Sequence, residues 1–200
     1  MVRWALTAVL LGLMVLPARA TQDAWPALYD VAGVAADDVL NIRAAPSITA
    51  EIIGTLPPHR RRVEVIRPND RESWGLVNIG ERTGWVSLRY MARRPGQWQG
   101  AFPALASCFG TEPFWSLNID GMTATYSTPG EALAGDVSAR LASSARRDRH
   151  GLMARFGPRT MSAIVSSRAC GDGMSDRAYG IAVDAILGDE VLSGCCSLSR

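Results

Sequence analysis

Four cysteines, all in the second half of a 200-residue chain, constrain this sequence more than any other feature. They are Cys108, Cys170, Cys195 and Cys196, and the last two are adjacent. An even cysteine count in an exported chain implies disulfides. A bridge between Cys195 and Cys196 strains the peptide that joins them, so Cys108 and Cys170 are expected to reach the adjacent pair. Neighbouring side chains in a strand point to opposite faces, so the two bridges leave the last strand on opposite sides. Which partner goes to which cysteine stays open at this level.

Export is indicated by the first twenty residues. Arg3 gives a positive start, "ALTAVLLGLMVL" an apolar run, and "PARA" (Pro17–Ala20) a small-x-small cleavage site. The run is shorter than the roughly 20 residues a membrane span needs, so a cleaved signal peptide over residues 1–20 is expected, with no span in the mature chain. Thr21 follows the cleavage site, where a lipoprotein carries cysteine. The expected location is periplasmic or secreted. Removing Arg3 and Arg19 takes the 21 basic residues to 19, equal to the 19 acids, so net charge argues for no particular partner. All the basic residues are arginine, which reflects composition bias more readily than nucleic-acid binding, and no nucleic-acid partner is expected. Arg60, Arg61 and Arg62 form the only tight basic run; without interleaved aromatics it reads as a solvated turn or strand edge, with an anion patch as the lesser alternative.

The 19 glycines, 11 prolines and short apolar runs favour an all-β chain, as one domain or two small ones. From Leu28 to Met91 the pieces "DVLNIRAAPS", "EIIGTLPP" and "RRVEVIRPND" end at or near proline, and "SWGLVNIGERTGWVSLRYM" reads as two strands around a turn at Gly80–Gly84. Five short strands predict a small barrel. The combination "LNIRAAPS", "IIGTL" and "WGLVNIGERTGWVSLRYM" resembles a bacterial SH3 domain, placed over residues 26–94. The resemblance implies a binding module of the cell envelope, docking peptidoglycan peptide or an envelope protein, without catalytic residues. Trp74, Trp85 and Tyr90 offer the amphipathic rings that grip extended peptides. Trp85, between Gly84 and Val86, is expected to be partly core, with Trp74 and Tyr90 more exposed. Asn41 and Arg43 can bond a ligand backbone or carboxylate, and Arg43 can equally pair with Asp37 or Asp38.

Residues 95–107 show no clear period and read as a linker. A disulfide-bonded β barrel or sandwich is expected over residues 108–200. Asp120-Gly121 marks a type I′ hairpin, and Ala178–Leu187 with Val191–Leu198 form another around Gly188-Asp189. "GLMARFG" and "MSAIVSSRAC" are further strands, whereas "GEALAGDVSARLASSARRDRH" is compatible with a strand pair, a loop or a short helix. "GTEPFWSLNIDG", "CGDGMSDRAYG" and "LSGCC" resemble a family of exported proteobacterial envelope domains over residues 108–198. Gly171 replaces the serine of that pattern, and the resemblance implies no activity.

No motif carries a credible reaction or cofactor. Asp172 and Asp176 lack the spacing and closing ligand of a calcium loop, and His59 and His150 fall in different units, so no metal is expected. A cysteine hydrolase needs a free thiolate beside a histidine; the alternative of a wall hydrolase rests on Cys108, or on Glu112 paired with Asp172 or Asp176. The simpler expectation for "ACGDGMSDRAYG" is a disulfide-anchored turn whose aspartates accept backbone N–H bonds. The expected protein is a non-catalytic binding protein with two β modules.

Overall fold

The structure, a computed structural model, describes residues 22–199. The leader expected over residues 1–20 lies outside the described residues.

The N-terminal module contains β1 (Ala27–Val31), β2 (Leu40–Arg43), β3 (Ile52–Leu56), β4 (Val63–Val65), β5 (Arg67–Pro68), β6 (Trp74–Ile79), β7 (Arg82–Ser87), a 3-10 turn (Leu88–Tyr90) and β8 (Met91–Arg93). They form a five-stranded sheet in the order β3-β2-β7-β6-β5 and a three-stranded sheet β4-β1-β8. Ala27, Tyr29, Val31, Leu40, Ile42, Val65, Val77 and Val86 meet in the core between them. The five strands expected from sequence are β2, β3, β4, β6 and β7. Three more are present, because β1, β5 and β8 show no alternating pattern to detect. In β1 the reason is burial on both faces: Ala27, Tyr29 and Val31 enter this core while Leu28 packs into the core of the second module.

Gly84 is not part of the hairpin turn, contrary to the sequence reading. It sits within β7 opposite Val77, where an added Cβ would come within 2.4 Å of Ile42 Cγ2. The turn itself is Gly80-Glu81, with Gly80 at φ +55°.

The second module comprises β9 (Ser107–Thr111), β10 (Phe114–Asp120), β11 (Thr123–Ser127), β12 (Ala132–Ala142), β13 (Arg149–Phe156), β14 (Arg159–Cys170), β15 (Tyr179–Leu187) and β16 (Glu190–Ser197). Each strand pairs antiparallel with the next, and β16 returns to β9, closing an eight-stranded up-and-down barrel. Closure leaves no sheet edge exposed. The segment of ambiguous period is mostly β12, whose pattern is broken by a bulge between Val137 and Ala139. The register Asp120↔Thr123 makes Gly121-Met122 the two-residue loop, and of these only Gly121 has a positive φ, +58°. That is the type II′ pattern, with glycine first, in place of the expected I′.

An eight-stranded barrel has an interior just wide enough for side chains or one small ligand. Here side chains fill it: Trp115, Tyr126 and Phe156 contact one another in series, with aliphatic residues of β13–β16 around them. Buried Trp115 donates its indole N–H to the Ser193 carbonyl at 3.3 Å. Outward positions mix exposed polar residues such as Asn118, Thr123, Thr125, Asp136, Arg155 and Asp184 with exposed apolar ones such as Ile164, Ile186 and Val191.

Cys108 bonds Cys196 and Cys170 bonds Cys195. Cys108 and Cys196 face each other directly across the β9–β16 ladder, inside the barrel, and the second bridge lies on the other face of β16. The residues between the modules are themselves packed. Gln97 mimics a strand partner, accepting from Leu28 N–H at 2.6 Å and donating to Leu28 C=O at 2.9 Å, and Leu105 and Ala106 are buried.

The bridges close loops of different length, 88 residues for Cys108–Cys196 and 25 for Cys170–Cys195. Loop-closure entropy then predicts a loss of about 4–5 kcal/mol for the paired change Cys108→Ser with Cys196→Ser, against about 3–4 kcal/mol for Cys170→Ser with Cys195→Ser. Urea unfolding of both double variants measures the order; the reverse order would contradict this account.

Candidate functional site

Four of the five candidate ligand-binding residues line one groove of the N-terminal module, a cavity of about 460 Å³. Asn41 and Arg43 come from alternate positions of β2, so both point away from Ile42 and the core. Trp74 begins β6, where Asn69 Oδ1 accepts the backbone N–H groups of Ser73 and Trp74 and fixes the strand entry. Tyr90 ends the 3-10 turn, 36% exposed, with the Arg89 guanidinium 5.8 Å from its ring centre. Exposed Ile48 and Val39 extend the apolar floor. Arg43 does not pair with Asp37 or Asp38: its guanidinium donates to the Ala50 carbonyl at 2.7 Å, holding the loop between β2 and β3. The Asn41 amide makes no side-chain hydrogen bond among the described residues, which leaves it able to bond an extended backbone.

Trp85 lies outside this groove and outside the core. Gly84 and Val86 point inward, so Trp85 points outward, half-buried beneath the Arg67 guanidinium at 5.1 Å. It shares a second depression of about 440 Å³ with Trp74, Arg71 and Asp70. Trp74 thus stands on the ridge between two adjacent recesses.

The "CGDGMSDRAYG" loop is a docking element. Asp172 Oδ1 accepts the N–H groups of Met174 and Ser175, and Oδ2 accepts the Ser175 hydroxyl at 2.7 Å. Burial disfavours the charged carboxylate, but these bonds outweigh it and hold the Asp172 carboxyl below its usual range. So tied, the loop reaches the N-terminal module. Ala178 exchanges two bonds with the Asn78 amide, at 2.9 and 3.1 Å, and Asp176 N–H donates to the Glu81 carbonyl.

Glu112 and Asp172 line a common cavity of about 430 Å³ beside the Cys170–Cys195 bridge; Asp176 is not among its lining residues. A general acid needs a raised pKa, and Asp172 is shifted the other way. Cys108, the alternative nucleophile, is wholly buried and bonded to Cys196. His59 is exposed on the N-terminal module, whereas His150 is buried with Nε2 3.2 Å from the Gly100 carbonyl. Among the described residues no group of three His, Cys, Asp or Glu side chains is placed to hold a metal.

A residue that the sequence did not single out, Glu64, joins the modules. It stands in β4 opposite Leu28, and its Oε2 accepts the Ser197 hydroxyl and, at 3.0 Å, Leu198 N–H. Its other oxygen is buried without a hydrogen-bond partner among the described residues. Burial pushes the Glu64 carboxyl above its ordinary range despite the bonds it accepts. Sequence offered no signal for it, since "VEV" in a short strand reads as an outward charge.

Residues 38–92 match the family described as a bacterial SH3 domain. The groove and the outward tryptophans therefore belong to a domain of that type, while the match leaves the barrel unassigned. No curated protein and no solved structure matches the chain.

Because the folded-state pKa of Glu64 is raised, its contribution to stability is complete at low pH and is lost as pH rises through the raised value. Glu64→Gln keeps an acceptor for Ser197 and Leu198 without the charge. Chemical unfolding followed from the normal carboxylate range upward should show that decline in the natural protein and a flatter profile in the variant. Equal slopes would mean that Glu64 does not titrate at the junction.

Proposed function

We propose that this is a non-catalytic periplasmic binding protein whose SH3 domain recognises peptidoglycan peptide or the extended segment of an envelope protein. The observation that carries this reading is the convergence of Asn41, Arg43, Trp74 and Tyr90 on one groove. Flat amphipathic rings give an extended chain large contact area at low entropic cost, and an unengaged amide supplies backbone pairing. Two disulfides fit an oxidising compartment outside the cytoplasm, and no helix of the described residues is long and apolar enough to cross a membrane. The barrel serves as a second surface that braces the SH3 domain through Glu64, Asn78 and Leu28. Its likeness to exported envelope domains rests on its motifs and adds no activity. A wall hydrolase is the weaker reading, since Cys108 has no thiolate to offer and Asp172 is engaged in its own loop.

Co-sedimentation of the oxidised, leader-free chain with purified peptidoglycan sacculi tests the proposal. The chain should pellet with the sacculi. Trp74→Ala and Tyr90→Ala should each weaken binding about tenfold, the equivalent of ~1.4 kcal/mol. No soluble muropeptide should appear in the supernatant. Muropeptide release would refute the non-catalytic reading, and absence of pelleting would turn the partner from the wall to an envelope protein.

A further inference from the structure

The arginine run of residues 60–62 does not face open solvent alone. It forms one wall of a cleft of about 710 Å³ between the modules, and the barrel supplies Arg140 from β12 as another charged lining residue. The neutral wall is the connecting segment from Phe102 to Ala106, with Ser199 and Asp120 at the margins. Four arginines therefore line a recess whose one acidic lining residue among the described residues is Asp120, with the Arg62 guanidinium also donating to the Leu198 carbonyl at 3.5 Å. None of the four forms an ion pair among the described residues, a state they share with most arginines of the chain.

The positions of two of these arginines are specified by the fold. Arg62 has φ +56°, the left-handed conformation that a side chain rarely adopts, and Asp30 Oδ1 accepts its backbone N–H at 2.9 Å. The Arg62 backbone N–H, together with the Arg94 guanidinium, keeps the Asp30 carboxyl below the usual range, so this anchor is charged. Arg140 donates to the Gly121 carbonyl and to Met122 Sδ, and its guanidinium lies 5.7 Å from the Phe102 ring. Every one of those direct partners is neutral. Beyond the strap at Phe102–Ala104, a second recess of about 620 Å³ also includes Arg62, adding Arg147 and the exposed Trp98.

We propose that this cleft binds a phosphate-bearing ligand, a phosphomonoester or diphosphate group clasped between Arg60–Arg62 of the SH3 module and Arg140 of the barrel. Each carboxylate of a dicarboxylate such as succinate presents two coplanar oxygens and one charge, enough for a single guanidinium fork, and its two charges are held apart by the carbon chain. A phosphate dianion presents three terminal oxygens in a tetrahedral array, able to accept from arginines converging from separate walls and to offset more of their charge. The site exists only when both modules are docked, because neither supplies both walls. It is separate from the Trp74–Tyr90 groove and does not depend on it.

Isothermal titration of the oxidised, leader-free chain with sodium pyrophosphate at low salt tests this, with succinate as the carboxylate comparison. Saturable binding at one site per chain is expected, with succinate bound at least tenfold more weakly. Arg61→Gln and Arg140→Gln should each weaken pyrophosphate binding about tenfold while leaving thermal unfolding unchanged, and Trp74→Ala should leave it intact. A non-saturating titration, equal affinity for succinate, or indifference to both arginine changes would each overturn the proposal. The two variants lie on different modules, so loss in one alone would reject the two-walled clasp.

Discussion

The pairing of β9 with β16 is the constraint on which the remaining structure depends. It joins the first strand of the barrel to the last, across the whole module, through a ladder of only three residue pairs. Cys108 and Cys196 are one of those pairs, so the bridge fastens the closure where the hydrogen-bonded contact is shortest. Once β16 is held there, its alternation assigns everything around it. Cys196 turns into the core, Cys195 turns out to clamp the end of β14, and the chain beyond Ser197 runs straight into the N-terminal module.

The two modules consequently meet through specific polar bonds in addition to apolar contact. Glu64 receives the end of β16, Asn78 receives the loop before β15, and Leu28 enters the barrel core between them. Gly180 allows this approach: a Cβ there would stand 2.6 Å from Pro26 Cδ. Arg93 secures the other side, donating to the Ala24 and Gln97 carbonyls with its guanidinium over the Trp25 and Tyr29 rings. A buried carboxylate with one unpartnered oxygen is costly, so it marks a junction tuned for specificity of docking more than for strength. The recesses left by this arrangement include an aromatic groove facing outward on the SH3 domain and an arginine-lined cleft at the seam.

Much of the strand pattern was legible because it is local. Alternation in "FWSLNID" places Trp115, Leu117 and Ile119 inside, and glycine at positions 80, 121 and 188 supplies the positive φ of two-residue loops. Where both faces are buried, as in β1, or a bulge interrupts the period, as in β12, that signal vanishes. The candidate groove was legible in four residues because the SH3-like motifs placed Asn41, Arg43, Trp74 and Tyr90; the fifth, Trp85, was misjudged because flanking residues alone do not say which face of β7 is inward.

By itself, the sequence determined an all-β chain, its turns, the restriction of Cys108 and Cys170 to the adjacent pair, and an SH3-like motif set. Those properties depend on the backbone preferences and burial period of a few neighbouring residues. Only the tertiary structure decided that Cys108 takes Cys196, that Glu64 is buried, and that Arg60–Arg62 face Arg140. Each of these brings together residues at least 78 positions apart in sequence, and strand register, which depends on the closure of the whole barrel, is what places such residues side by side.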